Sequence, residues 1–163
     1  MCAVTILSSV FYIAMILLLL IVGPIGATAI DVGSTDHPLL AAATFWFVFF
    51  GGARLLLAGI SQAVNPAFTV QGILGQKDAN PGANYLAQEL GYANIGLGVL
   101  GVVSPWLGWA PAGALAIGAF LLLAGIRHLA KRGKGGKEWF ATITDLAFGV
   151  VLLAIFVLAL IPA

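Results

Sequence analysis

Five long apolar stretches dominate the sequence and restrict the folds that it can adopt. A helix needs about 20 predominantly apolar residues to cross the roughly 30 Å hydrocarbon layer, because no water there satisfies the backbone. We therefore expect an all-α protein: a polytopic transmembrane bundle of five helices, with a four-helix core and an additional amino-terminal span, in one domain over residues 1–163. The predicted spans cover residues 4–22, 38–64, 84–103, 111–129 and 139–161.

The composition excludes a soluble domain. Charged residues make up 8% of the chain and hydrophobic residues 61%, whereas soluble domains carry about 25% charged residues. The formal net charge of +1 excludes a strongly basic nucleic-acid-binding protein. The single Cys2 excludes an internal disulfide, and with only two histidines in the chain we expect no metal site.

A cluster of basic residues predicts the topology. Lys131, Arg132, Lys134 and Lys137 share one short connector, which the positive-inside rule places in the cytoplasm. Each span changes the side of the membrane on which the chain lies. We therefore expect residues 25–37 to form an outer loop, the amino terminus to lie inside and the carboxyl terminus to lie outside. We expect a multi-pass integral membrane protein.

A cleaved signal peptide competes with the first span, because an A-x-A pattern ends at Ala29. The apolar run lacks the basic residues that precede such a peptide, so we expect an uncleaved helix.

Polar side chains inside the spans are the main candidates for a functional site. Such residues are costly in lipid and usually face the interior of the bundle. We expect Arg54 to pair with Asp145 or Glu89 in the inner leaflet, with the other polar side chains nearby. The predicted ligand-binding or buried polar cluster consists of Arg54, Glu89, Asn94, His128 and Asp145.

Small residues recur at helical spacing on the second and third spans, which predicts close helix packing. Glu89 lies on a different face of the third span from these glycines, so we expect that span to be central in the bundle. The face of the second span consists of Gly51, Arg54, Ala58, Ser61 and Asn65, and that of the third of Asn84, Ala87, Gly91, Asn94, Gly98 and Gly101.

The connector 65–83 is too long for a simple turn, and long ordered loops are often functional. Its apolar stretch 68–74 is able to lie in the interface or re-enter the membrane. The secondary candidates for contact with a ligand or partner are Gln71, Lys77, Asp78 and Asn80.

The sequence contains no enzyme motif that identifies a reaction. Most small residues in the spans have a purely structural interpretation as packing positions, and Asn94 has one as an interhelical hydrogen-bonding residue. Arg54 with a carboxylate is compatible both with a structural ion pair and with a substrate or proton site. Both interpretations stay open at this stage.

Two segments carry a resemblance to a known family. Two stretches, Ala53-Arg54-Leu55-Leu56-Leu57-Ala58-Gly59-Ile60 with Asn65-Pro66-Ala67-Phe68, and Glu89-Leu90-Gly91 with the glycines that follow, resemble DoxX-like membrane proteins. That family includes many uncharacterised bacterial proteins, and the chain is most similar to an uncharacterised family of small bacterial integral membrane proteins. The resemblance covers about half of the chain, which differs by its extra amino-terminal span and by Gln62 where a Lys is common. It implies a four-helix bundle, in some members a subunit of membrane redox complexes near quinone or thiosulfate chemistry. We therefore expect the protein in the bacterial inner (plasma) membrane.

These observations favour an accessory or binding subunit that holds a lipid, quinone or partner helix near Arg54. Its expected partners are the bilayer and a larger membrane complex or a homo-oligomer, with no nucleic acid, and no cofactor is identifiable beyond a compatible lipid or quinone. The alternative is a small oligomeric transporter or channel with an anion or proton path through Arg54, Glu89 and Asp145. An enzyme acting on a lipid or quinone is the third interpretation, with Glu89 or His128 as acid or base.

Overall fold

Helices make up most of the residues that the structure describes. The computed structural model describes residues 2–35, 37–76 and 81–161, and these ranges contain no strand. The elements are α1 (Cys2–Leu17), a first π-helical turn (Leu18–Val22), α2 (Gly23–Thr35), α3 (Leu39–Val64), a second π-helical segment (Phe68–Ile73), α4 (Pro81–Val103), α5 (Ala110–Ala130) and α6 (Gly136–Ala159).

Five helices are long and apolar enough to cross a membrane, which confirms the prediction of an all-α, five-helix, multi-pass architecture. Many large apolar side chains on their outer faces are exposed, as expected for surfaces that contact lipid. The five candidate spans are Val10–Thr35, Leu39–Val64, Pro81–Val103, Ala110–Ala130 and Gly136–Ala159.

The first span continues further than the sequence suggested. The prediction that residues 25–37 form an outer loop is wrong, because the helix continues through α2 to Thr35. The backbone N–H of Gly23 donates to the carbonyl of Leu18, five residues back, so the helix widens by one residue immediately before Pro24. Proline lacks an N–H and its ring clashes with the carbonyl four residues before it. A π-helical turn relieves that conflict within a continuous helix.

A polar cluster joins α2 to α3 at one end of the bundle. The indole Nε1 of Trp46 donates to Oδ2 of Asp31 over 2.9 Å, and His37 Nδ1 lies 2.9 Å from Oδ1 of the same carboxylate. The hydroxyl of Thr35 also donates to Asp31, over 2.6 Å. This carboxylate therefore fixes the corner between the first two spans.

Helix α3 is the central helix of the bundle. It contacts α2, α4, α5 and α6, whereas α4 packs mainly against α3 and only slightly against α5. The expectation that the third span is central is therefore wrong. Polar residues on two faces of α4 suggested a central position, but one of those faces is exposed. Buried apolar residues from α3, α5 and α6, including Leu55, Leu121 and Leu152, form the core together with Ile16 and Leu20 of the first span.

Glycines bring α3 and α4 into backbone contact. The predicted small-residue face of α4 is buried at Ala87, Gly91, Asn94, Gly98 and Gly101. The face of α3 that meets it carries Gly52 and Gly59 and differs from the one predicted from Gly51 and Arg54. A Cβ at Gly52 would lie 2.6 Å from Cα of Gly101, and a Cβ at Gly59 would lie 2.6 Å from the carbonyl oxygen of Gly91.

Gly98 and Gly96 give a matched test of this contact. A Cβ at Gly98 would lie 2.7 Å from Cα of Leu56, whereas a Cβ at Gly96 would meet no atom within 4 Å. We expect Gly98→Ala to lower the free energy of unfolding by about 1–3 kcal/mol through overpacking. Gly96→Ala should leave it unchanged or raise it by up to about 1 kcal/mol, because alanine favours helix. Denaturant unfolding in mixed micelles measures both, and equal effects would contradict the close α3–α4 contact.

Candidate functional site

A buried ion pair links α3 to α6. The guanidinium Nη2 of Arg54 donates to Oδ1 of Asp145 over 2.7 Å, and the two side chains are 11% and 6% exposed. Both residues lie on the inward faces of their helices, where Gly51 and Gly149 are also buried. Of the two partners that the sequence offered to Arg54, the structure pairs it with Asp145.

Glu89 does not belong to this cluster, and its prediction as a buried site residue is wrong. Its side chain is exposed on α4 and lies within hydrogen-bonding reach of Tyr85, one turn earlier on the same helix. At 100° per residue, Glu89 and Asn94 point about 140° apart around the helix axis. Because Asn94 faces the interior, Glu89 faces outward.

A cavity of about 660 Å³ lies beside the ion pair. Residues from α1, α3, α4, α5, α6 and the second π-helical segment line it. Most of the surface of its wall is apolar, although polar side chains from every one of these elements contribute to it. The principal apolar lining residues are Phe11, Met15, Ile16, Leu57, Phe68, Leu90 and Phe120, and the principal polar ones are Arg54, Gln62, Asn94, His128 and Asp145.

Asn94 lines this cavity and links α4 to α3. The residue is 4% exposed, and its Nδ2 donates to Oε1 of Gln62 on α3 over 2.7 Å. Its Oδ1 is buried and has no hydrogen-bond partner among the described residues. Sequence reasoning did not select Gln62 as a site residue, although its spacing on the second span, one residue after Ser61, places it beside the predicted polar face.

A second buried carboxylate lies next to the cavity, at the connector between α5 and α6. Glu138 is 1% exposed, and its Oε2 accepts a hydrogen bond from Lys131 Nζ over 2.9 Å. Its Oε1 lies 3.7 Å from Nδ1 of His128. His128 also lines the cavity, so one side chain borders both the cavity and the Glu138 carboxylate. The helical spacing of the sequence places Glu138 at a helix end and on the same face as Asp145, but it was not selected as a site residue.

The second π-helical segment lines the end of the cavity near the basic connector. Phe68 meets Tyr12 of α1 edge to face, with ring centroids 6.4 Å apart, and Lys137 Nζ lies 5.8 Å from the centroid of the Phe68 ring. Lys131 Nζ donates to the carbonyl of Leu74 over 3.0 Å. The basic connector therefore holds this segment against the end of the bundle.

The secondary loop candidates do not line the cavity where they are described. Gln71 is exposed in the second π-helical segment, while its neighbours Phe68, Thr69 and Ile73 line the cavity. The other three candidates, Lys77, Asp78 and Asn80, lie outside the described residues.

Tyr12 is a further lining residue that sequence reasoning missed. It projects from α1 into the cavity and lies close enough to interact electrostatically with both Arg54 and Asp145. An aromatic residue in an apolar run gives no signal of this role, because the contact depends on how the first span packs against the others.

The site has the chemistry of a binding cavity for an amphipathic molecule. Its apolar wall suits a hydrocarbon portion, and the polar side chains beside it suit a headgroup. In the described part of the chain, no group of three or more His, Cys, Asp or Glu side chains is placed to hold a metal ion. Comparison of the chain with family models, curated proteins and solved structures gives no match, so the function must be argued from these residues.

Lys131 and Arg132 provide a test of the Glu138 contact. Lys131→Met leaves a buried carboxylate without its hydrogen-bonding cation, so we expect a loss of about 1–3 kcal/mol in the free energy of unfolding. Arg132 is exposed in the same connector, and Arg132→Met should change stability by no more than about 0.5 kcal/mol. Unfolding in mixed micelles compares them, and equal losses would show that Lys131 does not stabilise Glu138.

Proposed function

We propose that this protein is a small integral membrane protein that binds a lipid- or quinone-like molecule in the cavity beside Arg54 and Asp145, as an accessory or binding subunit. The observation that carries the proposal is the cavity itself, with its largely apolar wall and the polar side chains that contribute to it. Small-molecule sites are typically clefts of about 300–1,000 Å³ with this combination of linings.

The same cavity favours a small molecule over a partner helix. Side chains from five helices and the second π-helical segment line it, and exposed residues such as Phe11 and Leu57 lie at its open side. A helix with side chains is about 10–12 Å across, so a volume of about 660 Å³ holds no more than a short part of one. A larger membrane complex or a homo-oligomer would assemble through the exposed apolar faces of the bundle instead.

We further propose a bacterial inner-membrane location with the amino terminus inside and the carboxyl terminus outside. The basic connector between α5 and α6 supports this orientation through the positive-inside rule. Trp139 at the start of α6 has Lys134 Nζ 4.5 Å from its ring centroid, an arrangement typical of the membrane interface, where indoles and cations lie together. The Phe68–Ile73 end of the cavity would then lie towards the cytoplasm.

Cysteine labelling tests the orientation. In a Cys2→Ser background, Arg132→Cys lies in the basic connector and Ser34→Cys near the end of α2, both at exposed positions. In spheroplasts, an impermeant maleimide should label Ser34→Cys and should reach Arg132→Cys only after the membrane is permeabilised. The reverse pattern would invert the proposed topology.

A proton path, which is the core of the transporter alternative, draws support from one observation. His128 lines the cavity and lies 3.7 Å from the buried Glu138, so titratable groups run from Asp145 towards the basic connector. The path considered from the sequence included Glu89, which is exposed and outside the cavity. Proton flux in proteoliposomes that is lost in His128→Leu would favour transport over binding alone.

Filling the cavity tests the binding proposal. Ala124 lines the cavity on α5, whereas Ala93 is exposed on α4. We expect protein purified in mild detergent to carry a bound lipid or quinone detectable by native mass spectrometry, and Ala124→Phe to remove it because the ring occupies the space. Ala93→Phe should keep the ligand. Retention of the same ligand by Ala124→Phe, or no bound molecule in the parent protein, would contradict the proposal.

A further inference from the structure

The open side of the cavity changes from apolar to polar along α3. Leu57, Ser61 and Asn65 follow one another at four-residue intervals on one side of the helix and its carboxyl-terminal cap, and all three are exposed and line the cavity. Helix α3 ends at Val64, so Asn65 lies at the end of the span and Leu57 lies deeper. An amphipathic molecule in this opening is best accommodated with its polar group towards Asn65.

The deeper part of the opening faces the surrounding lipid. Phe11 of α1 is 70% exposed and Leu57 is 45% exposed, and both residues line the cavity. They lie within two of the candidate membrane spans, where exposed apolar side chains contact hydrocarbon. An acyl chain of the bilayer therefore reaches the cavity sideways, without crossing the headgroup layer.

Two lysines of the basic connector border the polar end of the cavity. Lys137 Nζ lies 5.8 Å from the centroid of the Phe68 ring, and Lys131 Nζ donates to the carbonyl oxygen of Leu74 over 3.0 Å. Phe68 and Leu74 both line the cavity. Lys131 is already paired with Glu138 over 2.9 Å, whereas Lys137 has no carboxylate within 4.0 Å in the described part of the chain. Lys137 is therefore the cation available to a ligand at this end.

The charge of the connector favours an anionic headgroup. Residues 127–138 contain five Lys or Arg residues and one carboxylate, that of Glu138. Basic clusters at the end of a membrane span attract anionic lipid headgroups. A choline headgroup gains less from these cations, because its own ammonium balances the charge of its phosphate.

We infer that the cavity binds an anionic phospholipid, with its phosphate beside Lys137 and Asn65 and one acyl chain in the cavity. The second acyl chain stays in the surrounding bilayer at the open side. The inference rests on the proposed function, because it names the chemical class of the molecule that the cavity holds. Arg54 lies about three helical turns deeper than Asn65, at the level of the acyl chain, and its charge is balanced by Asp145.

Two phospholipids with the same acyl chains test the headgroup. The full chain in dodecyl maltoside is titrated with dioleoyl phosphatidylglycerol or dioleoyl phosphatidylcholine, and native mass spectrometry measures the bound fraction. Lys137→Gln removes the cation beside Phe68, and Arg132→Gln removes an exposed cation elsewhere in the same connector. Oleate tests an anionic single chain, and glycerol phosphate tests the headgroup alone.

We expect phosphatidylglycerol to bind at least about fivefold more tightly than phosphatidylcholine, the size of effect that one cation near a lipid headgroup produces. Lys137→Gln should weaken phosphatidylglycerol binding about fivefold and change phosphatidylcholine binding by no more than about twofold. Arg132→Gln should weaken phosphatidylglycerol binding by less than about twofold, because water and salt screen an exposed charge. Glycerol phosphate should displace neither lipid, since it lacks the chain that fills the apolar part of the cavity. The comparison of the two lipids in the parent protein stands even if Lys137→Gln fails to fold.

The contrary outcomes separate the inference from the proposed function. Equal binding of the two phospholipids, abolished by Ala124→Phe, would overturn the anionic headgroup and leave the binding cavity in place. Equal losses in Lys137→Gln and Arg132→Gln would overturn the position of the phosphate, because general attraction to the basic surface has that result. Tighter binding of oleate than of phosphatidylglycerol, unaffected by Lys137→Gln, would replace the phospholipid with a carboxylate at Arg54.

Two further results would also contradict the inference. Displacement of phosphatidylglycerol by glycerol phosphate would show a site for a soluble phosphate compound and not for a lipid. Binding of neither phospholipid would overturn the inference, and the proposed function would fail with it only if the purified parent protein also carries no bound molecule.

Discussion

The ion pair between Arg54 and Asp145 is the interaction on which the inner part of this bundle depends. Both side chains are buried, and their 2.7 Å contact joins α3 to α6. A charge in the hydrocarbon layer is costly unless it is paired or hydrated, so the two helices must keep these residues opposite each other. The pair therefore fixes the relative register of α3 and α6 and, with it, one wall of the cavity.

The glycine faces make this arrangement compatible with a small protein. On one side α3 and α4 meet backbone to backbone through Gly52 and Gly101, and on the other a Cβ at Gly149 would lie 2.7 Å from the backbone nitrogen of Leu122 on α5. Because glycines have no side chains, these contacts leave no side-chain atoms to fill the space between the α3–α4 pair and the α5–α6 pair. Larger side chains such as Phe120 and Leu57 line that space, and a cavity remains.

The architecture was predictable where it depended on helical period and hydrophobic length. The five spans and the buried face of α4 follow from these properties, because the bilayer fixes helix length and close packing selects small residues. The π-helical turn before Pro24 was not predictable, since Gly-Pro ordinarily marks a helix end. The central position of α3 was also missed, because α4 was expected to be central. Polar residues on two faces of α4 do not indicate which face contacts protein and which is exposed.

Only some of the residues of the candidate site could be predicted from the sequence. Charges within spans directed attention to Arg54 and Asp145, which the structure brings together, but the same rule selected Glu89, which is exposed. Gln62, Tyr12 and Glu138 were missed because their roles arise from tertiary contacts. Glu138 illustrates this most clearly, since a carboxylate beside a basic loop usually lies in water, and here Lys131 covers it.

A double-mutant cycle measures the central interaction directly, with Arg54→Met, Asp145→Leu and the combined variant unfolded by denaturant in mixed micelles. Each single change leaves one buried charge unpaired and should cost about 3–5 kcal/mol, whereas replacing both partners by apolar residues should restore most of that loss. We expect the double variant to be much more stable than the sum of the two single losses would predict. Additive losses would contradict a coupled ion pair at this position.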